Sequence, residues 1–496
     1  MTTIEFSAFG IQRRLALTTL RDTGVDDRIT RGNARRAKMA PGVGSSGVAT
    51  TFDATSLFRV LSQTARMRSR LPSLTTNDLA VVTETRAGTA SGRDTSSTSR
   101  TRSPAGAYGG QVTLVTPTII VEGARSNDIQ AARNVGAQII DEGFDGKVLL
   151  SVTSIDDVSK VIALLTAREV GSATPNFLRR YARTPLSTPD AAWAHKKIGL
   201  ANAWKLTTGA PSVRVAVLDE GVDTSHPQLH AAVVGEQDFI GDKGNSAMPD
   251  GNDAHGTACA GIVLARGTAA PGIAPACSLL AARIAMDDGN HHWIFEDFAT
   301  ADAIDWAWRH DASVISNSWG GGVPSDAISR AFGRARTQGR AGKGSVVCIA
   351  AGNKAGLIDF PGDLPGYVTV GASNQADERK TRTSSDGESL WGSNFGPTLW
   401  LLAPGVRIHT TDIAGAAGYD AGDFTTRFNG TSSATPHVAG AVALMLSVNP
   451  RLTANTVRAI LATTAKRIGG QPGWTKELGY GRLDVAAAVA AAKAHP

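Results

Sequence analysis

Cysteine is scarce in this chain of 496 residues, in which only Cys259, Cys277 and Cys348 occur. Three cysteines cannot form a closed set of disulfides, and each lies within an apolar run, so we expect buried thiols. No run of about eighteen apolar residues is present, which excludes a membrane-spanning helix. The N-terminal sequence also lacks the basic start, unbroken apolar stretch and small-residue cleavage site of a secretory signal. We therefore expect a cytoplasmic location, with export by another route as the alternative.

Acidic residues are under-represented only near the N-terminus. Residues 1–110 carry 16 of the 50 Lys and Arg but 8 of the 44 Asp and Glu, so the net charge of +6 originates there. A basic segment can contact nucleic acid or anionic lipid, yet no interleaved aromatic residues and no nucleic-acid motif accompany this one. We expect a solvated tail and no nucleic-acid partner.

Large apolar side chains are almost absent from residues 87–111, AGTASGRDTSSTSRTRSPAGAYGGQ, which have the composition of a flexible linker. Residues 1–88 contain short helix-like pieces without a sustained strand pattern. Because the chain is longer than one hydrophobic core usually supports, several folded units are expected. We predict a basic N-terminal region with its linker at 1–111, a small domain at 112–183 and a larger domain at 184–496.

The small domain alternates between strand-like and helix-like segments. The strand TLVTPTIIVEG precedes the helix SNDIQAARNVGA, the strands QIIDEG and KVLLSVT follow, and the helix IDDVSKVIALLTARE precedes SATPNFLRR. Strand, helix, strand, strand, helix, strand is the order of a small ferredoxin-like α+β unit. An unrelated small domain is the alternative, because such patterns are degenerate.

The larger domain is a series of βα units. The short apolar strands VRVAVLD, SLLAARIA, SVISNSW and SVVCIAA are separated by helical segments such as FATADAIDWAWRH. This order predicts an α/β fold with a parallel sheet and helices on both faces. Ligands of such folds bind beyond the carboxyl ends of the strands.

Three segments of this domain carry the residue types of a nucleophilic site. Asp219 stands where the strand of VAVLDEGVD ends, His255 begins the helix of HGTACAGIVLA, and Ser432 begins the helix of NGTSSATPHVAG. A serine hydroxyl becomes a nucleophile when an imidazole takes its proton and a carboxylate holds that imidazole in the correct tautomer. Gly430 permits a sharp turn before the last helix, and Pro436 still lies within its first turns. We therefore assign Asp219, His255 and Ser432 as the candidate catalytic triad.

The motifs DEGVD, HGTACAG, SNSWGG, AAGN and GTSSATPHVAG make residues 193–495 similar to the catalytic domain of the subtilases, the subtilisin-like serine proteases. The resemblance implies a subtilisin-like fold and an endopeptidase that cleaves proteins or peptides through an acyl-enzyme on Ser432. It implies that the amide of Asn353 joins the Ser432 N–H in binding the oxyanion. It also implies two backbone segments that contact the substrate: Ser318, Trp319 and Gly320 face Ala350, Ala351 and Gly352.

By the same resemblance, residues 112–183 are similar to a subtilase propeptide, an intramolecular inhibitor that assists folding. The protein is then expected to be made as a zymogen that processes itself. The domain ends in FLRRYAR, followed by TPLSTPD, which favours self-cleavage after Arg183, with Arg180 as the alternative.

Two carboxylates also favour cleavage after Arg or Lys. Alignment of IDFPG with the pocket floor of the subtilases puts Asp359 in the primary specificity pocket, where a carboxylate attracts a basic side chain. Asp253 is expected to line the next subsite. Lys354 could neutralise part of the negative charge of Asp359. A solvated loop charge is the alternative for each carboxylate.

Three positions depart from the usual subtilase pattern. Glu220 stands where a small hydroxyl residue is common, so the charge near His255 is expected to differ. Cys259 resembles the thiol of mercurial-sensitive subtilases, or it only fills space. Gln228 replaces the customary Asp after His-Pro, and the short LARGTAAPG offers no side-chain carboxylate or amide, so we predict no cofactor and no strong calcium site, with weak calcium binding left open.

Two other functions use the same fold. A catalytically silent binding protein normally lacks a triad member, and none is lacking here. A transpeptidating or cyclising subtilase uses the same residues and differs only in what attacks the acyl-enzyme, so this alternative stays open.

Overall fold

The computed structural model describes residues 2–8, 11–19, 79–87, 112–182, 193–241, 244–287 and 292–496. The chain divides into two compact units, Met1–Arg180 and Tyr181–Pro496. None of the helices in these described ranges is long and apolar enough to cross a membrane.

In the residues that the structure describes, the first unit contains an antiparallel sheet and two α-helices. Its strands are β1 Thr2–Ala8, β2 Ile11–Thr19, β3 Ala80–Ala87, β4 Val112–Glu122, β5 Gln138–Glu142, β6 Val148–Ser151 and β7 Ser172–Ala182. Its helices are α1 Ser126–Asn134 and α2 Ile155–Ala167. The long strand β4 pairs with β7 along one edge and with β3 and then β6 along the other, and β5 pairs with β6.

The predicted ferredoxin-like order is confirmed. Strands β5, β6, β4 and β7 lie side by side, every neighbouring pair is antiparallel, and α1 and α2 make the two crossings. Helix α2 shows why the sequence folds this way locally. Ser154 caps its first turn by accepting the Asp157 N–H at 3.3 Å, and Ile155, Val158 and Ile162 are buried along one face.

The prediction that residues 1–88 lack strands is wrong, because β1 and β2 pair with each other and β3 joins them to β4. Ile4 and Phe6 on β1 are buried at a spacing of two, as are Leu15 and Leu17 on β2. The alternation covers only a few residues on each strand, which leaves no clear pattern in the sequence. The domain boundaries at 111 and 183 stay predictions, and Arg183 lies outside the described residues.

The second unit contains a parallel sheet in the order β16-β15-β14-β13-β8-β10-β9. Its strands are β8 Arg214–Asp219, β9 Val233–Asp238, β10 Ser278–Arg283, β13 Ala312–Asn317, β14 Val346–Ala350, β15 Val368–Ser373 and β16 Leu399–Pro404. Two antiparallel pairs lie beside it, β11 Met286–Asp287 with β12 His292–Glu296, and β17 Ile408–Thr411 with β18 Phe424–Phe428. The predicted parallel α/β fold is confirmed.

Helices cover both faces of this sheet. They are α3 Trp193–Lys197, α4 Leu200–Trp204, α5 His255–Leu264, α6 Asp297–Arg309, α7 Asp326–Gln338, α8 Thr431–Val448, α9 Ala454–Thr464 and α10 Val485–Ala494. Helices α5 and α8 pack together on one face, and α6 and α7 pack together on the other. Helix α8 is buried from Thr431 to Leu446, as a central helix rich in small and apolar residues should be.

The topology brings polar residues to one end of the sheet. Strand β8 ends at Asp219, β13 leads into Ser318, and β14 leads into Asn353. Because the strands are parallel, their carboxyl ends share one edge. Helices α5 and α8 begin beside that edge, so His255 and Ser432 lie near these strand ends.

Candidate active site

Asp219 and His255 are joined by a hydrogen bond. His255 Nδ1 lies 3.0 Å from Asp219 Oδ1 and 3.2 Å from Oδ2, and both side chains are nearly buried. A carboxylate accepts only, so Nδ1 carries the hydrogen and the neutral ring has its lone pair on Nε2. This is the tautomer in which an imidazole acts as a base toward a third group.

Ser432 is the second residue of α8. Gly430, which precedes the helix, has φ of 113°, a conformation open to glycine but strained for other residues. In this structure the Ser432 hydroxyl donates to the Ser318 carbonyl oxygen at 3.2 Å. A hydroxyl has one hydrogen to donate, so this rotamer engages the residue that follows β13 and not the imidazole.

The carbonyl oxygen of Ser432 is held from outside its helix. Its usual partner would be the N–H four residues later, but that residue is Pro436, which has none. The Ser318 hydroxyl donates to this oxygen at 3.0 Å, and the Cys259 thiol donates to it at 3.5 Å. The backbone of Ser432 is therefore fixed by β13 and α5 in place of the missing helical bond.

Asn353 is anchored to the start of α8. Its Oδ1 accepts the Thr431 N–H at 2.8 Å and the Thr431 hydroxyl at 3.0 Å, and Thr431 Oγ1 in turn accepts the Gly352 N–H at 3.1 Å. These bonds fix which end of the amide is oxygen. The donor end, Nδ2, is thereby turned away from Thr431, the residue that precedes Ser432.

Glu220 is completely buried beside the triad candidates. Its Oε1 accepts the backbone N–H of His255 at 2.8 Å, and its own N–H donates to Asp219 Oδ1 at 2.9 Å. The sequence predicted only that charge near His255 would differ from the usual pattern. The contact with the first N–H of α5 was not predicted.

Cys259 lies one helical turn after His255, with Sγ 3.7 Å from His255 Nδ1. Burial raises the pKa of this thiol well above its usual value, and the negative charge of Asp219 raises it further. The thiol is therefore protonated, as a donor to the Ser432 carbonyl must be. Groups of three His, Cys, Asp or Glu side chains can hold a metal ion when they lie close together. Among the described residues the one such group is Asp219, His255 and Cys259.

Two aromatic rings enclose the imidazole edge-on. The Trp293 ring on β12 is centred 4.5 Å from that of His255, and the Phe428 ring on β18 is centred 5.2 Å away. Neither residue stands in one of the motifs that predict the site. Their positions next to a motif residue depend on tertiary packing, so spacing along the chain could not have identified them.

The segments expected to contact substrate backbone lie beside the nucleophile. Ser318 contacts Ser432 directly, and Gly321 donates its N–H to the Phe360 carbonyl. The Trp319 indole is buried, stacked on Phe332 at 6.1 Å. On the other side, Ala351 follows β14, and Gly352 has φ of 99° with Asn394 so close that a Cβ would lie 2.6 Å from its amide nitrogen.

The two predicted specificity carboxylates have partners within the protein. Asp359 accepts a hydrogen bond from Lys354 Nζ at 2.8 Å, and each side chain is 21% exposed. Burial lowers the pKa of Lys354, and the charge of Asp359 opposes that shift. Asp253 is nearly buried and accepts the Asp287 N–H at 3.1 Å, so it supports β11.

The loop LARGTAAPG and the neighbouring Gln228 offer few oxygen ligands for calcium. The Arg266 N–H donates to the Gln228 carbonyl at 2.9 Å, and the Gln228 side chain lies against Gly267. Its Oε1 is buried without a hydrogen-bond partner among the described residues, the one feature that suits a cation. Calcium binds six to eight oxygens, commonly carboxylates, so these side chains do not fit a strong site.

The sequence profile described as the subtilase family matches residues 211–481, which include all of this site. The chain belongs to the subtilase family. It is 33% identical over 279 residues to thermitase of Thermoactinomyces vulgaris, covering 55% of this chain and 88% of that protein. It is 31% identical over 387 residues to a calcium-dependent protease of Trichormus variabilis, covering 68% of this chain and 56% of that protein.

The fold of this subtilase is similar to that of a solved structure, fervidolysin from Fervidobacterium pennivorans, described as a keratinolytic enzyme related to subtilisin. The TM-score is 0.61 at 23% identity, covering 75% of this chain and 61% of that one. The match with the Trichormus variabilis protein spans little more than half of that relative. These comparisons establish the family and fold, and the roles of single residues rest on the geometry above.

Proposed function

We propose that this subtilase is a serine endopeptidase that hydrolyses peptide bonds through an acyl-enzyme on Ser432. The hydrogen bond between Asp219 and His255 Nδ1 at 3.0 Å carries the proposal, because it directs the basic Nε2 toward an acceptor role. Ser432 then supplies the nucleophile from the start of α8.

The first step moves one proton and forms one bond. The Ser432 hydroxyl leaves the Ser318 carbonyl by a rotation of its side chain and gives its proton to His255 Nε2 while Oγ attacks the scissile carbonyl carbon. Asp219 stabilises the resulting imidazolium. His255 then returns the proton to the leaving amine, and a water molecule repeats the sequence to hydrolyse the acyl-enzyme.

The tetrahedral intermediate carries negative charge on its oxygen. We propose that Asn353 Nδ2 and the Ser432 N–H donate to this oxyanion. The two bonds from Thr431 to Asn353 Oδ1 support this role, since they hold the donor end in place before substrate arrives. Position at the N-terminus of α8 adds a favourable dipole.

We also propose that the protein is a zymogen whose propeptide-like domain, residues 112–183, inhibits the enzyme intramolecularly. The ferredoxin-like order of β4 to β7, within a compact unit distinct from residues 181–496, supports this role. Self-cleavage after Arg183 is favoured over Arg180, because Arg180 is paired with Val112 within the sheet, and a protease requires extended backbone that is not already paired.

A preference for Arg or Lys is the proposed specificity. Asp359 supports it because its ion pair with Lys354, the residue after Asn353, indicates that this carboxylate accepts an ammonium. A basic substrate side chain would have to replace Lys354, so the preference depends on this exchange. Asp253 supports a neighbouring subsite less well, because it is nearly buried.

No cofactor takes part in the proposed chemistry. One relative is named a calcium-dependent protease. We therefore propose that calcium can bind weakly to this protein and stabilise it, with Gln228 Oε1 as one of its oxygen ligands. The three free, buried cysteines support the proposed cytoplasmic location, since they require no oxidising compartment.

A fluorophosphonate probe tests the function directly. The purified full-length protein and the Ser432→Ala variant are incubated with the probe and a peptide library, and both the labelled residue and the N-terminus are determined by mass spectrometry. We expect labelling at Ser432, peptide cleavage and an N-terminus at Thr184 in the wild type only. Processed protein without labelling or cleavage would contradict the proposal.

A further inference from the structure

Helix α5 begins with an N–H that its own sequence cannot satisfy. The first N–H groups of a helix have no partner within it, and a side chain at the N-cap usually accepts one of them. Here the N-cap is Ala254, whose side chain has no acceptor. The first N–H of the helix belongs to His255 itself. The group that accepts this N–H therefore also sets the position of the candidate base.

Glu220 is that acceptor. Its Oε1 lies 2.8 Å from the His255 nitrogen, and its side chain is completely buried, so no solvent is present to take its place. A carboxylate at this position also interacts favourably with the positive end of the helix dipole. We propose that Glu220 is a positioning residue that fixes the His255 imidazole relative to Asp219 by holding the first N–H of α5.

The same residue contacts both partners. The Glu220 backbone N–H donates to Asp219 Oδ1 at 2.9 Å, while its side chain holds His255. The Nδ1 hydrogen bond and the edge-on contacts with Trp293 and Phe428 orient the imidazole ring. None of these three contacts involves the main chain of His255. The carboxylate of Glu220 supplies that missing restraint.

Close packing at this joint supports the inference independently. A Cβ on Gly256, the residue after His255, would lie 2.0 Å from the Gly221 carbonyl oxygen and 2.9 Å from Asp219 Cβ. The start of α5 thus approaches the turn after β8 as closely as glycine allows. A small loss of restraint at Glu220 would shift His255 against Asp219, and a misplacement of about 1 Å can cost about 100-fold in rate.

Two substitutions of Glu220 separate hydrogen bonding from packing. Glu220→Gln keeps a side-chain oxygen that can accept the N–H, whereas Glu220→Met keeps the length and volume but accepts nothing. We expect E220Q to retain kcat within about threefold, and E220M to lose about 10- to 100-fold in kcat with KM nearly unchanged. Rescue by Gln distinguishes positioning from a general need for bulk.

The matched control is Glu236→Met. Glu236 Oε2 also accepts a backbone N–H, from Ala247 at 2.9 Å, but it lies away from His255. We expect E236M to lower the melting temperature without lowering kcat per active site, counted by fluorophosphonate titration. Equal kcat in E220M and wild type, or equal losses in E220Q and E220M, would overturn the inference.

This inference rests on the proposed peptidase activity, and the two fail differently. If the wild type neither labels at Ser432 nor cleaves peptide, the function is wrong. If the wild type is active but E220M matches it, only the role of Glu220 is wrong. Should E220M not fold, Glu220→Ala replaces it, and failure of both to fold would overturn the role as well, since Glu220 would then serve folding.

Discussion

One side-chain amide ties Asn353 to the helix that carries Ser432. Its oxygen is used as an anchor by Thr431, and its nitrogen is the proposed oxyanion donor. The two ends therefore have separate tasks, which substitutions can separate.

Replacing Asn353 with Leu removes the donor together with the anchor oxygen and should lower kcat by about 100- to 1000-fold while KM changes little, the range known for one oxyanion donor in subtilisin. Steady-state kinetics on one peptide substrate measure the effect. Thr431→Val is the control, because it removes one anchor bond and leaves the donor, and its kcat should fall much less. A variant N353L that loses mainly affinity would contradict the role.

The ion pair between Lys354 and Asp359 makes the specificity testable. Removing the ammonium with Lys354→Met leaves the carboxylate to a substrate cation, and a charge-assisted hydrogen bond is worth about 1.5–3 kcal/mol. We expect K354M to raise the ratio of kcat/KM for Arg over Phe substrates by about tenfold or more. Asp359→Asn should lower that ratio, and an unchanged ratio in both variants would show that this carboxylate does not select substrates.

Residues in motifs were easier to predict than their partners. Asp219, His255, Ser432 and Asn353 stand in recognisable segments, and the structure brings these segments to one edge of the sheet. The bond from Glu220 to the His255 backbone was not predictable, because it joins residues from two elements through space. The catalytic roles of Asp219, His255, Ser432 and Asn353 stay predictions.

At the scale of an element, the segment that follows β15 closes around a buried lysine. Lys380 Nζ donates to the carbonyl oxygens of Thr381 and of Glu388, the latter at 2.6 Å, and lies 3.2 Å from Asp386 Oδ1. Lys380 is completely buried, so its ammonium takes the role of an internal cation among oxygens.

Lys380→Met should therefore destabilise the fold by about 3–5 kcal/mol, because it leaves the Asp386 carboxylate buried without its cation. Urea denaturation in a Ser432→Ala background, which prevents self-digestion, measures the loss. Lys476→Met is the control, since Lys476 is 61% exposed and its pair with Glu477 at 3.7 Å should be worth less than about 1 kcal/mol. Equal stability of K380M and the control would contradict the argument.

Strands and helices whose apolar residues follow a clear pattern along the sequence were predicted, and those without such a pattern were not. Strands β8, β10, β13 and β14 are short apolar runs between helices, and α8 begins one residue before Ser432, where the sequence predicted a helix to start. Strands β1 to β3 are seven to nine residues long and show no sustained alternation. Their pairing depends on β4, so the local sequence alone could not indicate it.

For the whole molecule, buried histidines should limit stability in acid. Burial lowers the pKa of His437 to about 3 and that of His195 to about 4, well below the usual value near 6.5. As the pH falls below 6.5, the unfolded chain binds protons that the folded chain excludes. Stability is thus present above pH 6.5 and is lost progressively down to the folded pKa values.

We expect the free energy of unfolding to fall by up to about 1.4 kcal/mol per pH unit for His437 alone between pH 6.5 and about 3. Urea denaturation of the Ser432→Ala protein at pH 7, 6 and 5 measures this slope. Adding His437→Gln removes the titrating group while keeping a donor for the Ser433 carbonyl, so the slope should become shallower. An identical slope in both proteins would contradict the assignment.

If the protein is the proposed peptidase, Pro436 has a consequence for when it becomes active. Helix α8 can form from local contacts early in folding, but it cannot by itself hold the Ser432 carbonyl, which waits for Ser318 and Cys259. These partners lie more than a hundred residues away in the chain, so the contacts form late. A newly made or partly unfolded chain would therefore have its helix without a competent nucleophile, and a cell would be spared proteolysis by immature molecules.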